Sequence, residues 1–250
     1  MAEGVAQAEQ NRSTEGNSEE EFGTDEGFDE FEDEFDESQK EDIFDPLSGY
    51  NRFMTGFNDG LFNYVLDPFL LKGYNFILPE PARDSVYRFF ENIYFPVSLA
   101  NNLLQLKFKN SATETLRFVI NSTIGILGLF DPAKNWFDLE IHKEDFGQTL
   151  GHYGVGGGFH IVMPFFGPKN LRDFGGDLID FYAYPLYYVE VRKLNIVQNK
   201  YQGWAAITYK EFNEISLHAE EYKNIRKDAL DLYPFLRDLY EKNRENEIKE

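Results

Sequence analysis

A run of 23 residues, Phe146–Pro168 (FGQTLGHYGVGGGFHIVMPFFGP), contains no Asp, Glu, Lys or Arg. That is about the length with which a helix crosses a bilayer. The same run holds seven glycines and two prolines, Pro164 and Pro168. Each glycine costs a helix about 1 kcal/mol and each interior proline about 3 kcal/mol, which argues against an ordinary spanning helix. Two readings remain. The backbone packs closely on itself as a glycine-rich buried loop, or it lies at an apolar boundary where neighbouring protein satisfies its polar groups.

Charge divides the chain. Residues 1–45 hold 18 acidic side chains against only Arg12 and Lys40, so most of the formal net charge of −20 belongs to this stretch. Runs such as FDEFEDEFDE offer too little apolar surface to offset chain entropy, and residues 1–42 read as a disordered acidic tail. The phenylalanines at 22, 28, 31 and 35 recur every three or four positions within that acidic background, apart from the first interval. They fit a partner-bound amphipathic helix, and they fit a solvated spacer.

Residues 43–250 are enough for one domain with a real core. No Lys/Arg cluster breaks the negative balance, so a nucleic-acid surface is disfavoured. The chain has no cysteine, which excludes disulfides, thiol catalysis and thiolate metal sites. Met1-Ala2-Glu3-Gly4 shows neither a basic nor an apolar leader region and leaves the compartment open.

Helical periodicity dominates this domain. Asp45-Pro46 reads as a cap and a first helical residue. Leu47, Tyr50, Met54, Phe57, Leu61 and Val65 then form one apolar stripe, predicting a helix that ends at Asp67-Pro68. A second helix is expected after Pro79, closed by Pro96, and a third over Ser98–Phe108. Ser111 and Glu114 match a capping box for a fourth helix. Further helices are expected from Leu171, over Gly203–Leu217 and over Tyr233–Glu247. No alternating strand pattern of useful length is present. The fold class is mainly α.

Catalytic and metal signatures are weak. His142, His152, His160 and His218 lack the spacing that places two imidazoles on one helix face, so no metal site is expected. Gly154–Gly158 is neither a dinucleotide fingerprint nor a P-loop, and no nucleophile elbow occurs. Asp173 and Asp177, four apart beside Arg172, fit a paired-carboxylate acid/base site or an ion-paired helix start. Trp136, Tyr184, Tyr187, Tyr188 and Trp204 fit an interfacial belt, and each also fits a core.

Several blocks together resemble the MlaA/VacJ family of outer-membrane lipid-asymmetry lipoproteins of Gram-negative bacteria. They are Asp45-Pro-Leu-Ser-Gly-Tyr-Asn-Arg52, Pro79-Glu-Pro-Ala-Arg83, Arg117-Phe-Val-Ile-Asn-Ser-Thr-Ile-Gly125, Gly128-Leu-Phe-Asp131 and Phe146–Gly156. The last continues through Pro164 to Leu171-Arg-Asp173 and Gly176-Asp177. The resemblance is strongest over residues 44–189. Family members carry a lipobox cysteine that this sequence lacks.

The resemblance implies a ring-like bundle of amphipathic helices around a central channel, at the periplasmic side of the outer membrane and beside a trimeric porin. It implies removal of misplaced phospholipids from the outer leaflet and their transfer to the periplasmic carrier MlaC, without catalysis or cofactor. Polar residues within apolar stretches are then the channel candidates: Asn58, Asn101, Asn121, Ser122, Thr123, Gln148, His152, Arg172 and Asp173. Ordinary buried hydrogen bonding accounts for the same residues. The segment Gly128–Asp145, with Asp131, Pro132 and Trp136, looks like the family's channel-flanking hairpin. The mixed-charge helix Leu232–Ile248 is a candidate carrier contact. A soluble lipid-binding shuttle, a phospholipid-cleaving enzyme using Asp173, Asp177 and a histidine, and an interaction scaffold are the rival readings.

Overall fold

The structure is a computed structural model that describes residues 44–185 and 200–250. The expected acidic tail, Tyr187 and Tyr188 lie outside the described residues.

The described residues are mainly helical. Helix α1 spans Ser48–Leu61, but Asp45 does not cap it. The Asp45 carboxylate instead accepts hydrogen bonds from Asn51 Nδ2 and the Tyr233 hydroxyl. Nor does the helical path stop at Asp67-Pro68. It continues through a π-helical stretch, Phe62–Leu71, that contains Pro68, and then through α2, Lys72–Ile77. A π turn is wider than an α turn, which eases the proline ring past the preceding carbonyl. Helix α3 runs over Glu80–Leu104 straight through Pro96, so the second and third expected helices are one. Helices pack against it on more than one side, which keeps the path helical across the one lost backbone bond.

Helix α4, Phe108–Thr123, starts three residues before the expected capping box. Ser111 is therefore inside the helix and donates to Lys107 O at 3.0 Å. Glu114 reaches out of the helix and accepts from His142 N at 2.7 Å. The order continues with α5, Pro132–Phe137, α6, Phe146–His152, strands β1, His160–Met163, and β2, Gly167–Asn170, and α7, Leu171–Ala183. Helices α8, Lys200–Leu217, α9, Ala219–Asp228, and α10, Leu232–Lys249, complete the domain. Helix α9 is short and mostly charged, with Ala219, Tyr222 and Ile225 along its inner side, and lies outside the expected helices.

The antiparallel pair β1–β2 adds two short strands that no alternating pattern of useful length marks. Its register pairs His160 with Asn170 and Met163 with Gly167. Four-residue strands are too short to declare themselves by alternation. The turn is set by Phe165 at φ 70° and Gly167 at φ 77°.

Neighbouring elements form a closed circuit of contacts. Helix α1 packs on β1, β2 on α10, α10 on α6, α6 on α7, both on α3, and α3 on α8. Phe62 and Leu71 of the π-helical stretch, which continues α1, pack with Ala219, Phe212, Ile215 and Tyr222 and so complete the circuit.

Polarity is inverted relative to a water-soluble bundle. Among the described residues nine apolar side chains are buried against twenty polar or charged ones. On α1 the buried positions are Asn51 and Thr55, while Tyr50, Phe53 and Phe57 are exposed. On α4 Ser111, Glu114, Arg117 and Asn121 are buried, while Leu116, Val119 and the following Ile124 are exposed. The stripe on α1 is exposed at Tyr50, Phe57 and Val65 and half-buried at Leu47, Met54 and Leu61, while Phe90 on α3 is buried. No helix among the described residues is long and apolar enough to cross a membrane.

Candidate functional site

The charge-free run folds as three devices: a helix, a glycine turn and the β-hairpin. Helices α6 and α7 approach backbone to backbone. A Cβ on Gly176 would lie 2.5 Å from Gly147 N and 2.8 Å from its Cα. A Cβ on Gly147 would meet Asp173 Oδ1 at 2.5 Å. Glycine at both positions is what permits this contact.

Arg244, from α10, ties these two helix starts together. Its guanidinium donates to both oxygens of Asp145 at 2.8 Å and to both of Asp173 at 3.0 and 3.1 Å. Asp145 caps α6 by accepting from Gln148 N at 2.8 Å, and Asn170 caps α7 by accepting from Asp173 N at 2.9 Å. Arg172 Nε and the Tyr240 hydroxyl also donate to Asp173, at 2.9 and 2.6 Å. Burial pushes the Asp173 carboxyl up, but the hydrogen bonds from Arg244, Arg172 and Tyr240 outweigh it and hold it at about 2. Asp177 pairs instead with Lys169 at 2.7 Å. The ion-paired reading of Asp173 and Asp177 is therefore the one observed.

The same knot reaches α3. Asn101 Nδ2 donates to Asp180 Oδ1 at 3.0 Å, and Thr149 Oγ1 donates to Asn101 Oδ1 at 2.9 Å. Asp180 Oδ2 accepts from Phe146 N at 2.7 Å. Burial dominates at Asp180 and pushes its carboxyl up to about 6 despite those bonds. The Gln148 amide is satisfied with its oxygen towards Arg244 Nη1 at 3.3 Å and its nitrogen towards Glu144. Asn101, Gln148, Arg172 and Asp173 are thus brought together.

A second cluster joins α4 to α5. Asp131 caps α5 by accepting from Lys134 N at 3.0 Å, and it also accepts from Arg117 Nη2 at 2.7 Å and Asn121 Nδ2 at 2.9 Å. Burial opposes this, yet the bonds from Arg117, Lys134 N and Asn121 hold the Asp131 carboxyl below its ordinary value. Asn121 Oδ1 accepts from Ala133 N at 3.1 Å. These residues border an open pocket of about 220 Å³ with Arg88, Glu91 and Glu114. Ser122 accepts from Asn92 at 2.9 Å on the adjoining face, and Thr123 bonds back to Val119 O. Pro132 is buried as the first residue of α5, and Trp136 is 67% exposed. The segment 128–145 holds the short helix α5 followed by a stretch without regular secondary structure.

Asn58 stands apart from both clusters. Its Nδ2 donates to Met163 O and its Oδ1 accepts from Phe165 N, both at 2.9 Å. It borders an open pocket of about 290 Å³ between α1, the hairpin, α9 and α10. His152 is exposed, edge-on to Tyr153. The interfacial-belt residues separate likewise: Trp136 and Trp204 are exposed, and Tyr184 is buried.

Sequence reasoning missed Asn51, Arg117, Asp145, Asp180 and Arg244. Asn51 and Arg117 lie inside quoted motif blocks. Arg244 sits in a mixed-charge helix where nothing local marks it from its neighbours. No group of three or more metal-binding side chains occurs among the described residues.

The family model described as MlaA lipoprotein matches residues 43–247. An uncharacterized protein of Rickettsia typhi is 32% identical over 209 residues, which is 83% of this chain and 79% of that protein. The intermembrane phospholipid transport system lipoprotein MlaA of Escherichia coli is 38% identical over 144 residues, 54% of this chain and 55% of that protein. A solved structure described as the structural basis for maintenance of bacterial outer membrane lipid asymmetry aligns with TM-score 0.63 and 28% identity. It covers 82% of this chain and 98% of its own. The chain belongs to the MlaA lipoprotein family.

Proposed function

We propose that this protein removes misplaced phospholipids from the outer leaflet of the outer membrane and passes them inward without chemical change. The observation that carries the reading is the inverted polarity: polar side chains inside, Leu, Val, Ile and aromatic faces outside. Such a body is solvated by acyl chains around its rim. Its interior offers the hydrogen bonds that a phosphate headgroup loses on leaving water, a loss that is costly when unpaired. The lipid's tails stay in the membrane while its headgroup passes through the ring.

In this reading Asn58, Asn101, Asn121, Ser122, Thr123, Gln148, His152, Arg172 and Asp173 supply the polar path. Asp131, Pro132 and Trp136 flank it. Capture by the periplasmic carrier MlaC and seating beside a trimeric porin complete the route, with the gradient of misplaced lipid as its drive. The relatives named as phospholipid transport lipoproteins support this assignment.

The rivals fit less well. An open pocket of about 290 Å³ is at the low end for a drug-sized ligand, about 300–1,000 Å³, and does not enclose a two-chain phospholipid as a soluble shuttle must. Asp173 is held at about 2 by its cations, far below the range of a general acid or base at neutral pH, and Asp177 is paired with Lys169 although burial pushes its carboxyl up. Deleting the gene should raise outer-leaflet phospholipid and detergent sensitivity. Unchanged leaflet composition in the deletion strain refutes the proposal.

A further inference from the structure

The pocket of about 220 Å³ between α3, α4 and α5 is lined by Arg88, Arg117 and Lys134 and by Glu91, Glu114, Asp131 and Glu140. Most of these charges are matched within the protein. Arg117 pairs with Asp131 at 2.7 Å, Glu91 with Lys143 at 3.0 Å, and Lys134 with Glu140. Two are left over, one of each sign.

Among the described residues Arg88, on α3, pairs with no carboxylate. Its guanidinium donates to neutral groups, to Ser85 Oγ at 3.0 Å and to Leu129 O at 3.4 Å. Glu114, on α4, is 7% exposed and pairs with no cation among the described residues. Its Oε1 accepts from His142 N at 2.7 Å. Burial pushes this carboxyl up, in spite of that bond and of the field of Arg117. Water satisfies the hydrogen bonds of such groups but supplies no counter-charge.

A ligand that supplies both missing charges is a zwitterion. A lone anion leaves Glu114 unmatched and adds to a lining of four acids and three bases, and a lone cation leaves Arg88 unmatched. The volume lies below the about 300–1,000 Å³ of drug-sized sites, so a headgroup enters and two acyl chains stay outside. A phosphate suits the guanidinium fork. A carboxylate accepts from a primary ammonium, whereas a trimethylammonium offers it no N–H.

We infer that this pocket, which Asn121 of the proposed path also lines, reads a phosphoethanolamine headgroup, with the phosphate at Arg88 and the primary ammonium at Glu114. The inference rests on the transport reading for the source of its ligand and names the lipid class of that path. Phosphatidylethanolamine is favoured there over lipids with phosphocholine or phosphoglycerol headgroups.

The test titrates the full chain, by calorimetry, with the deacylated headgroups glycerophosphoethanolamine, glycerophosphocholine and glycerophosphoglycerol. The first should bind at one saturable site and the other two about tenfold more weakly. Glu114→Gln keeps an oxygen to accept from His142 N but removes the charge, and should abolish the preference. Arg88→Gln should weaken all three esters. Nanodiscs separate the sources of the ligand: discs containing phosphatidylethanolamine should compete for the site, and discs of phosphatidylcholine alone should not. Failure of the first discs to compete makes the ligand a free soluble ester and overturns the lipid assignment. Equal binding of the three esters, no saturable site, or unaltered binding in either variant overturns the inference. The ester comparison on unaltered protein and Arg88→Gln stand even if Glu114→Gln fails to fold. A refuted preference leaves transport to be judged by leaflet composition in the deletion strain, and an unchanged leaflet leaves the ester binding measurable.

Discussion

Asn51 and Asn58 lie two helical turns apart on α1; Asn51 offers its carboxamide to the free edge of β1 and Asn58 to the end of β1 and the turn that follows. Asn51 donates to His160 O at 3.0 Å and accepts from Val162 N at 2.9 Å. Asn58 does the same to Met163 O and Phe165 N. A carboxamide carries the donor and acceptor of a peptide unit, so the two side chains stand in for a missing third strand. A helix thereby closes a sheet edge that would otherwise expose unpaired backbone.

The two positions should differ in cost. Asn51 is fully buried and also donates to Asp45 and to the Tyr233 hydroxyl. Asn51→Leu leaves several buried groups unpaired at about 1–3 kcal/mol each, so a loss of at least ~3 kcal/mol is expected. At Asn58 the partner Phe165 is exposed and water can replace the amide, so Asn58→Ala should cost about 1 kcal/mol. Denaturant unfolding of both variants in the same detergent checks the order; equal losses contradict the edge-pairing account.

Adjacent glycines on α7 should respond in opposite senses. A Cβ on Gly175 meets nothing within 4 Å, whereas one on Gly176 collides with the backbone of Gly147. Gly175→Ala removes a helix-interior glycine and should stabilise by up to about 1 kcal/mol. Gly176→Ala forces α6 and α7 apart, breaks the Arg244 geometry and should cost at least about 1–3 kcal/mol. Thermal melts distinguish them, and a neutral Gly176→Ala argues against backbone-to-backbone packing.

That contrast explains what the residues disclose by themselves. Apolar periodicity located α1, α4, α7 and α10, because a stripe reads the same whether it faces a core or lipid. It gave no sign of which way Leu116 or Tyr50 points, since burial depends on partners far along the chain. Pro68 and Pro96 read as stops because proline removes a local bond, while packing on both sides keeps the path helical. The Asp173 knot was half visible: the acid and its neighbour Arg172 are adjacent, but Arg244 lies 71 positions away. Glycine density marked the α6–α7 contact without saying which glycine touches.

Protonation should reveal the buried carboxyl of Asp180. Its folded value of about 6 lies above the ordinary carboxylate value near 3.9. The folded state therefore takes up the proton first, and stability rises as pH falls from 7 through 6 towards 4, by roughly 3 kcal/mol in full. Asp173 has the opposite sign: held at about 2, it stabilises above pH 4 and loses that contribution only as pH falls through 2. Between pH 7 and 5 Asp173 is silent. Asp180→Asn should flatten the rise in melting temperature over that window; an unchanged pH slope in the variant assigns the effect elsewhere.

The outward faces make the membrane claim testable apart from transport. Leu116 and Val119 are 53% and 52% exposed on α4, opposite the buried Glu114 and Arg117. In water, replacing exposed apolar residues by glutamine changes stability by within about 0.5 kcal/mol. In lipid, each side chain contributes about 1.5–3 kcal/mol of burial when fully covered, and about half of each is already covered here. Leu116→Gln with Val119→Gln should therefore lower partitioning into neutral phosphatidylcholine vesicles by about tenfold to a hundredfold, with an unchanged melt. Flotation on a density gradient reads the partitioning directly. Equal flotation of the double variant would place α4 away from lipid and turn its apolar face into a protein contact.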